Sequence, residues 1–225
     1  MGAEPYAALG WAATAVTMGL FCSNLQAIAA VRKAKSTRGQ SAHSLYGTLL
    51  NCLWWFCYGV LIDNSSVLAC NSVGLAIAVW GLQTFAAFAT TSQEGSTTRN
   101  VSLIIGAGSL GAVWGLNTWL THATCVAIVG LVASGGSVVL FSAPLASLRE
   151  IVSKKDASVL TPLTLFFSLA TAGLWTLYAL LIGDGFMLVP NGLGLLVSIA
   201  QLWLFVTYRK PAEIAGVGAL SSSKV

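Results

Sequence analysis

The sequence predicts an all-α membrane protein in which seven transmembrane helices form two parallel three-helix bundles joined by a linker helix, a 3+1+3 arrangement. Hydrophobic residues make up 56% of the 225 residues and charged residues only 8%, whereas an average soluble domain carries about 25% charged residues. The charges fall in short clusters between long apolar runs, and the chain repeats itself at an offset of 120 residues. This composition excludes a soluble enzyme, a nucleic-acid binder and a disordered protein.

Seven apolar runs are long enough to cross a bilayer, which takes about 20 helical residues. They lie near residues 7–31, 43–62, 66–90, 101–120, 124–147, 160–182 and 185–208. The pattern within each run is continuous rather than alternating, and a helix satisfies its own amide groups in lipid. The first run has no basic segment before it, so we interpret it as a span and not as a cleaved signal.

The basic residues predict how the chain is oriented. If the spans are threaded alternately, all 11 Lys and Arg residues fall on one side of the membrane. The other side receives Glu4, Asp63, Asp184 and His122. The positive-inside rule then places the N-terminus outside or in a lumen and the C-terminus in the cytosol. We expect an integral membrane protein of the plasma membrane, with an organelle membrane as the alternative.

The internal repeat predicts the domain organisation. Leucine matches are expected in an apolar chain, but four matches at one offset are not: Trp55/Trp175, Tyr58/Tyr178, Asn71/Asn191 and Gly74/Gly194. Three helices end on the side opposite to their start, so a linker helix is needed to make the two repeats parallel. The predicted units are residues 1–92 (first repeat), 93–121 (linker), 122–210 (second repeat) and 211–225 (cytosolic tail). Four glycines between 106 and 115 predict that the linker packs closely against its neighbours.

Four stretches of the chain resemble the SWEET sugar transporters of the PQ-loop superfamily. They are TLLNCLWWFCYG within 41–59, ACNSVG around Asn71, FSAPLASLREI from Phe141, and LWTLYALLIGDGFMLVPNGLG from Leu174. The last stretch is the most specific, because it combines the Trp and Tyr pair, the loop Asp and the Pro-Asn-Gly of the seventh helix in the family's order. The resemblance covers nearly the whole chain and implies a sugar-binding cavity between the repeats.

Asn71 and Asn191 are the first candidates for that cavity. A carboxamide at mid-membrane needs a partner, and two facing amides offer both donors and acceptors. A hydrogen bond to a neighbouring helix is the structural alternative. The resemblance implies that both amides bind sugar hydroxyls.

Trp55 and Trp175 stand 16 residues before the two asparagines. The resemblance implies that their flat faces stack on the sugar, whereas an interfacial or lipid-facing position is the alternative. Asn51 and Thr171 lie one turn earlier on the same helix faces. The size of Asn51 favours a monosaccharide over a disaccharide, although this side chain is equally suited to bonding a neighbouring helix.

Leu20 and Leu140 match family positions that help to set the width of the cavity. Two large leucines again favour a small sugar; without the resemblance, they are typical core residues. Tyr58, Tyr178 and Asp184 resemble the family's extracellular gate, in which a tyrosine hydroxyl meets the loop carboxylate. Interfacial tyrosines and a solvated aspartate are the alternative.

Prolines predict a second gate near the cytosolic ends. Pro144, Pro162 and Pro190 interrupt apolar helices, and each removes an amide donor. The family has two such prolines in each repeat, but Asn24 and Ser44 stand at the first-repeat positions here. The first repeat is therefore expected to bend less or to close through polar contacts.

The charges also bear on mechanism. No Lys, Arg, Asp or Glu falls inside a predicted span, whereas ion-coupled pumps usually need such a charge. We predict a bidirectional uniporter that moves sugars by facilitated diffusion and alternating access, with glucose favoured over sucrose. A PQ-loop transporter of another small neutral solute is the alternative; a seven-span receptor is disfavoured by the short loops and the repeat.

No cofactor and no metal site is expected, and the chain is not expected to be an enzyme. The five cysteines lack a CxxC pair and are interpreted as small packing residues. The expected partners are a small-molecule sugar and membrane lipid, with no nucleic acid. Whether copies of the chain form a homo-oligomer stays open from the sequence.

Overall fold

The computed structural model describes residues 6–209, except for the side chains of residues 22–24 and 143. These residues form helices and short connections and contain no strand, which confirms the all-α prediction. The helices are α1 (Ala7–Ala34), α2 (His43–Leu61), α3 (Ser65–Ala87), α4 (Ser92–Trp119), α5 (His122–Leu140), α6 (Ser142–Lys154), α7 (Pro162–Ile182) and α8 (Gly185–Tyr208).

The predicted span 124–147 is confirmed as one crossing, but it is not one continuous helix. It is interrupted at Phe141, where α5 ends and α6 begins. Pro144 lies three residues later and has no amide hydrogen for the carbonyl of Leu140. The two pieces together run from His122 to Lys154 and count as one crossing.

The fourth helix starts nine residues before the predicted start at 101, at Ser92. The side chain of Thr91 accepts a hydrogen bond from the Glu94 amide at 3.1 Å, and the Glu94 carboxylate accepts one from the Thr90 amide at 2.8 Å. This pair is a variant of the capping box in which the carboxylate reaches the amide of the residue before the N-cap, and it starts a helix in polar sequence. The helix therefore extends beyond the apolar run from which its start was predicted.

Within residues 6–209, six helical segments have the length and hydropathy of a membrane span. They are α1, α3, α4, the α5–α6 pair, α7 and α8. Helix α2 is the exception among the seven predicted spans. Its 19 residues include His43 and Asn51 as well as Trp and Tyr, which lower its mean hydropathy. It nevertheless lies inside the helix bundle, packed against α3, α4 and α5.

Each repeat has the same internal order. In the first repeat α1 and α2 both pack on α3, and in the second repeat α5, α6 and α7 pack on α8. The repeats meet reciprocally, because α1 packs on α7 while α2 packs on α5. The residues predicted for the cavity lie on the four helices of these two contacts or on α3 and α8.

The short turns 62–64, 120–121 and 183–184 lie on one face of the bundle, which we call the turn face. The loops 35–42, 88–91 and 155–161 lie on the opposite side, the basic face. One buried cluster near the turn face joins residues of both repeats, including Trp55, Tyr58, Trp175 and Tyr178. Two further clusters belong to single repeats, one around Leu45 and the other around Ile151. The repeats thus share a core at the turn face and have separate cores toward the basic face.

Two glycines allow the repeats to meet closely at the turn face. A Cβ atom on Gly130 of α5 would lie 2.8 Å from the Tyr58 ring and 2.8 Å from Phe186. A Cβ atom on Gly10 of α1 would lie 3.2 Å from the Tyr178 ring. The two glycines are 120 residues apart, so the same close packing occurs once in each repeat.

The prediction that α4 packs closely through its glycines is wrong. A Cβ atom on any of its four glycines between 106 and 115 would meet nothing within 4 Å. These glycines lie at the periphery of the bundle, where Ile104 and Trp114 are also exposed. Their spacing therefore reflects no close packing against the described residues.

Candidate functional site

A cavity of about 350 Å³ lies between the two repeats. Its walls come from α1, α2 and α3 of the first repeat and from α5, α7 and α8 of the second, with Phe141 at the helix break. The structure places all eight side chains predicted for substrate binding and cavity size on these walls: Asn71, Asn191, Trp55, Trp175, Asn51, Thr171, Leu20 and Leu140. Among the described residues, no Lys, Arg, Asp or Glu lines the cavity.

The two asparagines are held in equivalent orientations. Asn71 Nδ2 donates to the Val67 carbonyl at 2.8 Å, and Asn191 Nδ2 donates to the Met187 carbonyl at 2.8 Å. Each bond lies within the asparagine's own helix, one turn back, and uses one of the two amide hydrogens. The second hydrogen and the carbonyl oxygen of each side chain are not used in this bond.

The two tryptophans form reciprocal bonds across the repeat interface. Trp55 Nε1 donates to Ser137 Oγ at 2.9 Å, and Trp175 Nε1 donates to Thr17 Oγ1 at 3.0 Å. Each indole is only 7% exposed. Because the polar edge of each ring is satisfied, the ring is fixed as an apolar wall of the cavity. Neither tryptophan faces lipid.

Asn51 lines the cavity and also bonds a neighbouring helix, so both arrangements considered from the sequence occur. Its Oδ1 accepts a hydrogen bond from Ser137 Oγ at 2.7 Å, which leaves its two amide hydrogens. Thr171, at the equivalent position of the second repeat, is different. Its hydroxyl is buried and has no hydrogen-bond partner among the described residues. A buried polar atom without a partner is costly, and this one lies on the cavity wall.

Leucine and phenylalanine side chains narrow the cavity on the side away from the tryptophans. Leu20 and Phe21 come from α1, and Leu140 and Phe141 from the end of α5. Matched glycines make room for the rings. A Cβ atom on Gly74 would lie 2.8 Å from Phe21, and one on Gly194 would lie 3.0 Å from Phe141.

The turn face is closed by two hydrogen bonds between the repeats. Tyr58 donates to Asp184 Oδ2 at 2.8 Å, and Asn64 Nδ2 donates to the Tyr178 hydroxyl at 2.7 Å. Each tyrosine ring also packs edge to face on the tryptophan one turn before it, with centroids 5.5 Å and 5.8 Å apart. The predicted pairing of a tyrosine with the loop carboxylate is therefore formed in this structure, and a second pairing accompanies it.

The predicted hinge residues lie at different kinds of position. Pro144 follows the break at Phe141, and Pro190 lies inside α8 and lines the cavity. Pro162 does not interrupt a helix as predicted. It is the first residue of α7. An amide at this position has no partner within the helix, so a proline there costs no hydrogen bond. Ser44 is exposed near the start of α2, and the side chain of Asn24 lies outside the described residues.

Sequence reasoning missed three residues that complete this site. Thr17 and Ser137 hold the tryptophans, and Asn64 bonds Tyr178. The repeat contained a signal for all three, because Thr17 and Ser137 are hydroxyl residues 120 positions apart and Asn64 stands 120 positions before Asp184. Residue identity at the fixed offset does not reveal such similar pairs.

Comparison with known proteins shows the family. The model of the family described as "Sugar efflux transporter for intercellular exchange" matches residues 7–93 and again residues 127–213. The two matches start and end 120 residues apart and cover both repeats. The chain belongs to the SWEET family. Since this is a family of transporters, the chain is an integral membrane protein and not an enzyme, as predicted.

Individual SWEET proteins match over most of the chain. A putative bidirectional sugar transporter of Oryza sativa subsp. japonica, SWEET7e, is 29% identical over 95% of this chain and 84% of its own. The bidirectional sugar transporter SWEET5 of Arabidopsis thaliana is 28% identical over 90% of this chain and 85% of its own. A solved structure of a eukaryotic SWEET transporter matches with a TM-score of 0.84 and 24% identity, covering 89% of this chain and 95% of that one. That structure confirms the 3+1+3 fold.

Proposed function

We propose that the chain is a bidirectional sugar uniporter that carries monosaccharides such as glucose in preference to sucrose. The observation that carries this proposal is the cavity between the repeats, where paired amides and paired indoles face each other without a charged side chain. Relatives named as bidirectional sugar transporters support the substrate class. A neutral polyol needs hydrogen-bonding groups and an apolar platform, and the cavity supplies both.

When the sugar binds, contacts with the side chains of the cavity replace its contacts with water. The amides of Asn71 and Asn191 supply donors and acceptors. The tryptophan faces cover the apolar C–H face of the sugar ring. Each hydrogen bond contributes only about 0.5–1.5 kcal/mol net, so the sugar is held and released without an external energy source. The absence of a charged wall favours uncoupled diffusion down the sugar gradient.

The proposed mechanism is alternating access between the two faces. The repeats are hydrogen-bonded together at the turn face and have separate cores toward the basic face. The positive-inside rule assigns the basic face to the cytosol, and we propose that this conformation is the inward-facing one. Rocking of one repeat against the other would break the turn-face bonds and expose the same cavity to the outside of the plasma membrane.

The proposal is tested by uptake of labelled glucose and sucrose into proteoliposomes that hold the purified chain, with ionophores present to remove every ion gradient. We expect saturable glucose entry that equilibrates with the external concentration, and slower sucrose entry. Preloading with unlabelled glucose should accelerate entry, as expected of a bidirectional carrier. No entry of either sugar into liposomes holding folded protein contradicts the sugar assignment and favours another small neutral solute.

Asn51 is predicted to set the size preference. The cavity is near the lower end of the range of about 300–1,000 Å³ typical of small-molecule sites, and Asn51 fills part of it. We expect Asn51→Ser to raise the ratio of sucrose to glucose uptake by about tenfold, the effect of a methylene-sized change in a tight pocket. Ser72→Ala, which changes an exposed residue outside the cavity, is the control and should leave the ratio unchanged. An unchanged ratio in Asn51→Ser means that another wall sets the size limit.

A further inference from the structure

Asn64 has two structural roles at the turn face. Its Oδ1 accepts a hydrogen bond from the Val67 amide at 3.0 Å and so caps the N-terminus of α3. Its Nδ2 donates to the hydroxyl of Tyr178 in the other repeat at 2.7 Å. Asn64 is 7% exposed and the Tyr178 side chain is fully buried. One short side chain thus fixes a helix start and joins the two repeats.

Asp184 has the same two roles in the second repeat. Its Oδ1 accepts from the Met187 amide at 3.0 Å and caps α8, while its Oδ2 accepts from Tyr58 of the first repeat at 2.8 Å. Asn64 and Asp184 are 120 residues apart, as are the two tyrosines. The turn face is therefore closed by a two-arm latch whose arms are related by the repeat. One arm contains a carboxylate, and the other is neutral.

We propose that Asn64 is a gating residue, because its bond to Tyr178 forms the second arm of the latch that keeps the turn face closed. The inference deepens the proposed function, since it rests on alternating access through the same cavity. Both groups of this arm are buried, so the closed state depends on their bond. When the repeats separate, water hydrates both groups, so only the closed state bears the cost of an unmade bond, and loss of the bond destabilises the closed turn face specifically.

The test is side-specific access to Cys52, a native thiol that lines the cavity from α2 and is only 3% exposed in this conformation, so slow labelling of the wild type is the baseline. Asn64→Ser keeps a good capping residue for α3, but the serine side chain is too short to reach Tyr178. A membrane-impermeant thiol reagent is applied from the turn-face side in intact cells and from the basic face in inverted vesicles. Mass spectrometry then measures labelling at Cys52. Loss of one hydrogen bond predicts about three- to tenfold faster labelling from the turn-face side.

Two matched variants separate gating from a general loss of structure. Tyr178→Phe removes the same bond without touching the cap of α3 and should give the same increase, and the double variant should add little. Asn64→Asp keeps the cap, accepts a hydrogen bond from Tyr178 and should restore wild-type labelling.

The inference is overturned if Asn64→Ser and Tyr178→Phe both label at the wild-type rate. It is also overturned if only Asn64→Ser labels faster, because the effect then belongs to α3 alone. Labelling requires no substrate, so this result is independent of whether glucose is transported. If the variants label as expected but the wild type takes up no sugar, the sugar assignment is rejected and the gating role of Asn64 is retained.

Discussion

Asn71→Ala and Asn191→Ala are each expected to reduce glucose uptake at low sugar concentration by about 5- to 150-fold. Each substitution removes a carbonyl oxygen and an amide hydrogen that remain for the ligand after the bond within the helix is made. Two lost hydrogen bonds correspond to about 1–3 kcal/mol, and each 1.36 kcal/mol is about tenfold in rate. The measurement is initial uptake into proteoliposomes at equal protein density.

Ser72→Ala is the matched control for this prediction. Its hydroxyl also bonds a carbonyl one turn back, at 2.8 Å from Leu68 O, but the residue is exposed and does not line the cavity. We expect uptake by Ser72→Ala at the wild-type rate. If Asn71→Ala retains full uptake while folding normally, the amide has only the structural role of bonding its own helix.

Two substitutions of Trp175 are expected to distinguish the contribution of the apolar ring to uptake from that of its hydrogen bond. Trp175→Phe keeps a ring in the cavity wall but loses the bond to Thr17, so we expect about a two- to twelvefold loss of uptake. Trp175→Ala also removes the platform and opens a void in the core shared by the repeats. Burial of a large aromatic side chain is worth about 3–5 kcal/mol, and this variant should lose uptake completely and unfold at a lower temperature.

Trp203→Ala controls for loss of a tryptophan that lies outside the cavity, since Trp203 is exposed on α8. It should leave uptake and the melting temperature close to wild type. Both quantities are read from the same preparations by uptake and by a thermal unfolding scan. Equal losses in Trp175→Ala and Trp203→Ala would contradict a specific role for the cavity tryptophans.

The repeat explains why much of the site could be predicted from the sequence. Trp55 and Trp175, or Asn71 and Asn191, are rare residues at one fixed offset, and a parallel duplication brings such pairs to equivalent places on both sides of one axis. The resemblance to SWEET proteins added the chemical role, which the offset alone does not contain. All eight residues expected at the cavity lie on its walls.

The remaining features depend on contacts that a pattern along one chain does not contain. The bonds of Ser137 to Trp55 and Asn51 cross from α5 to α2, and nothing in the spacing within either helix indicates them. The early start of α4 follows from a capping box in polar sequence, where apolar run length is uninformative. The linker glycines look like a packing motif, yet a Cβ atom on any of them would meet none of the described residues within 4 Å. Composition identifies small residues but not what lies opposite them.

Protection of a cavity thiol by sugar tests the central claim, that the substrate passes through the cavity between the repeats. Cys52 lines that cavity, so bound glucose should slow its alkylation, with half protection at the concentration that gives half-maximal uptake. Mannitol, a non-cyclic polyol, should protect less, and Asn191→Ala should lose the protection. Saturable glucose uptake with no protection of Cys52 at any sugar concentration would contradict the account and place the sugar path elsewhere in the protein.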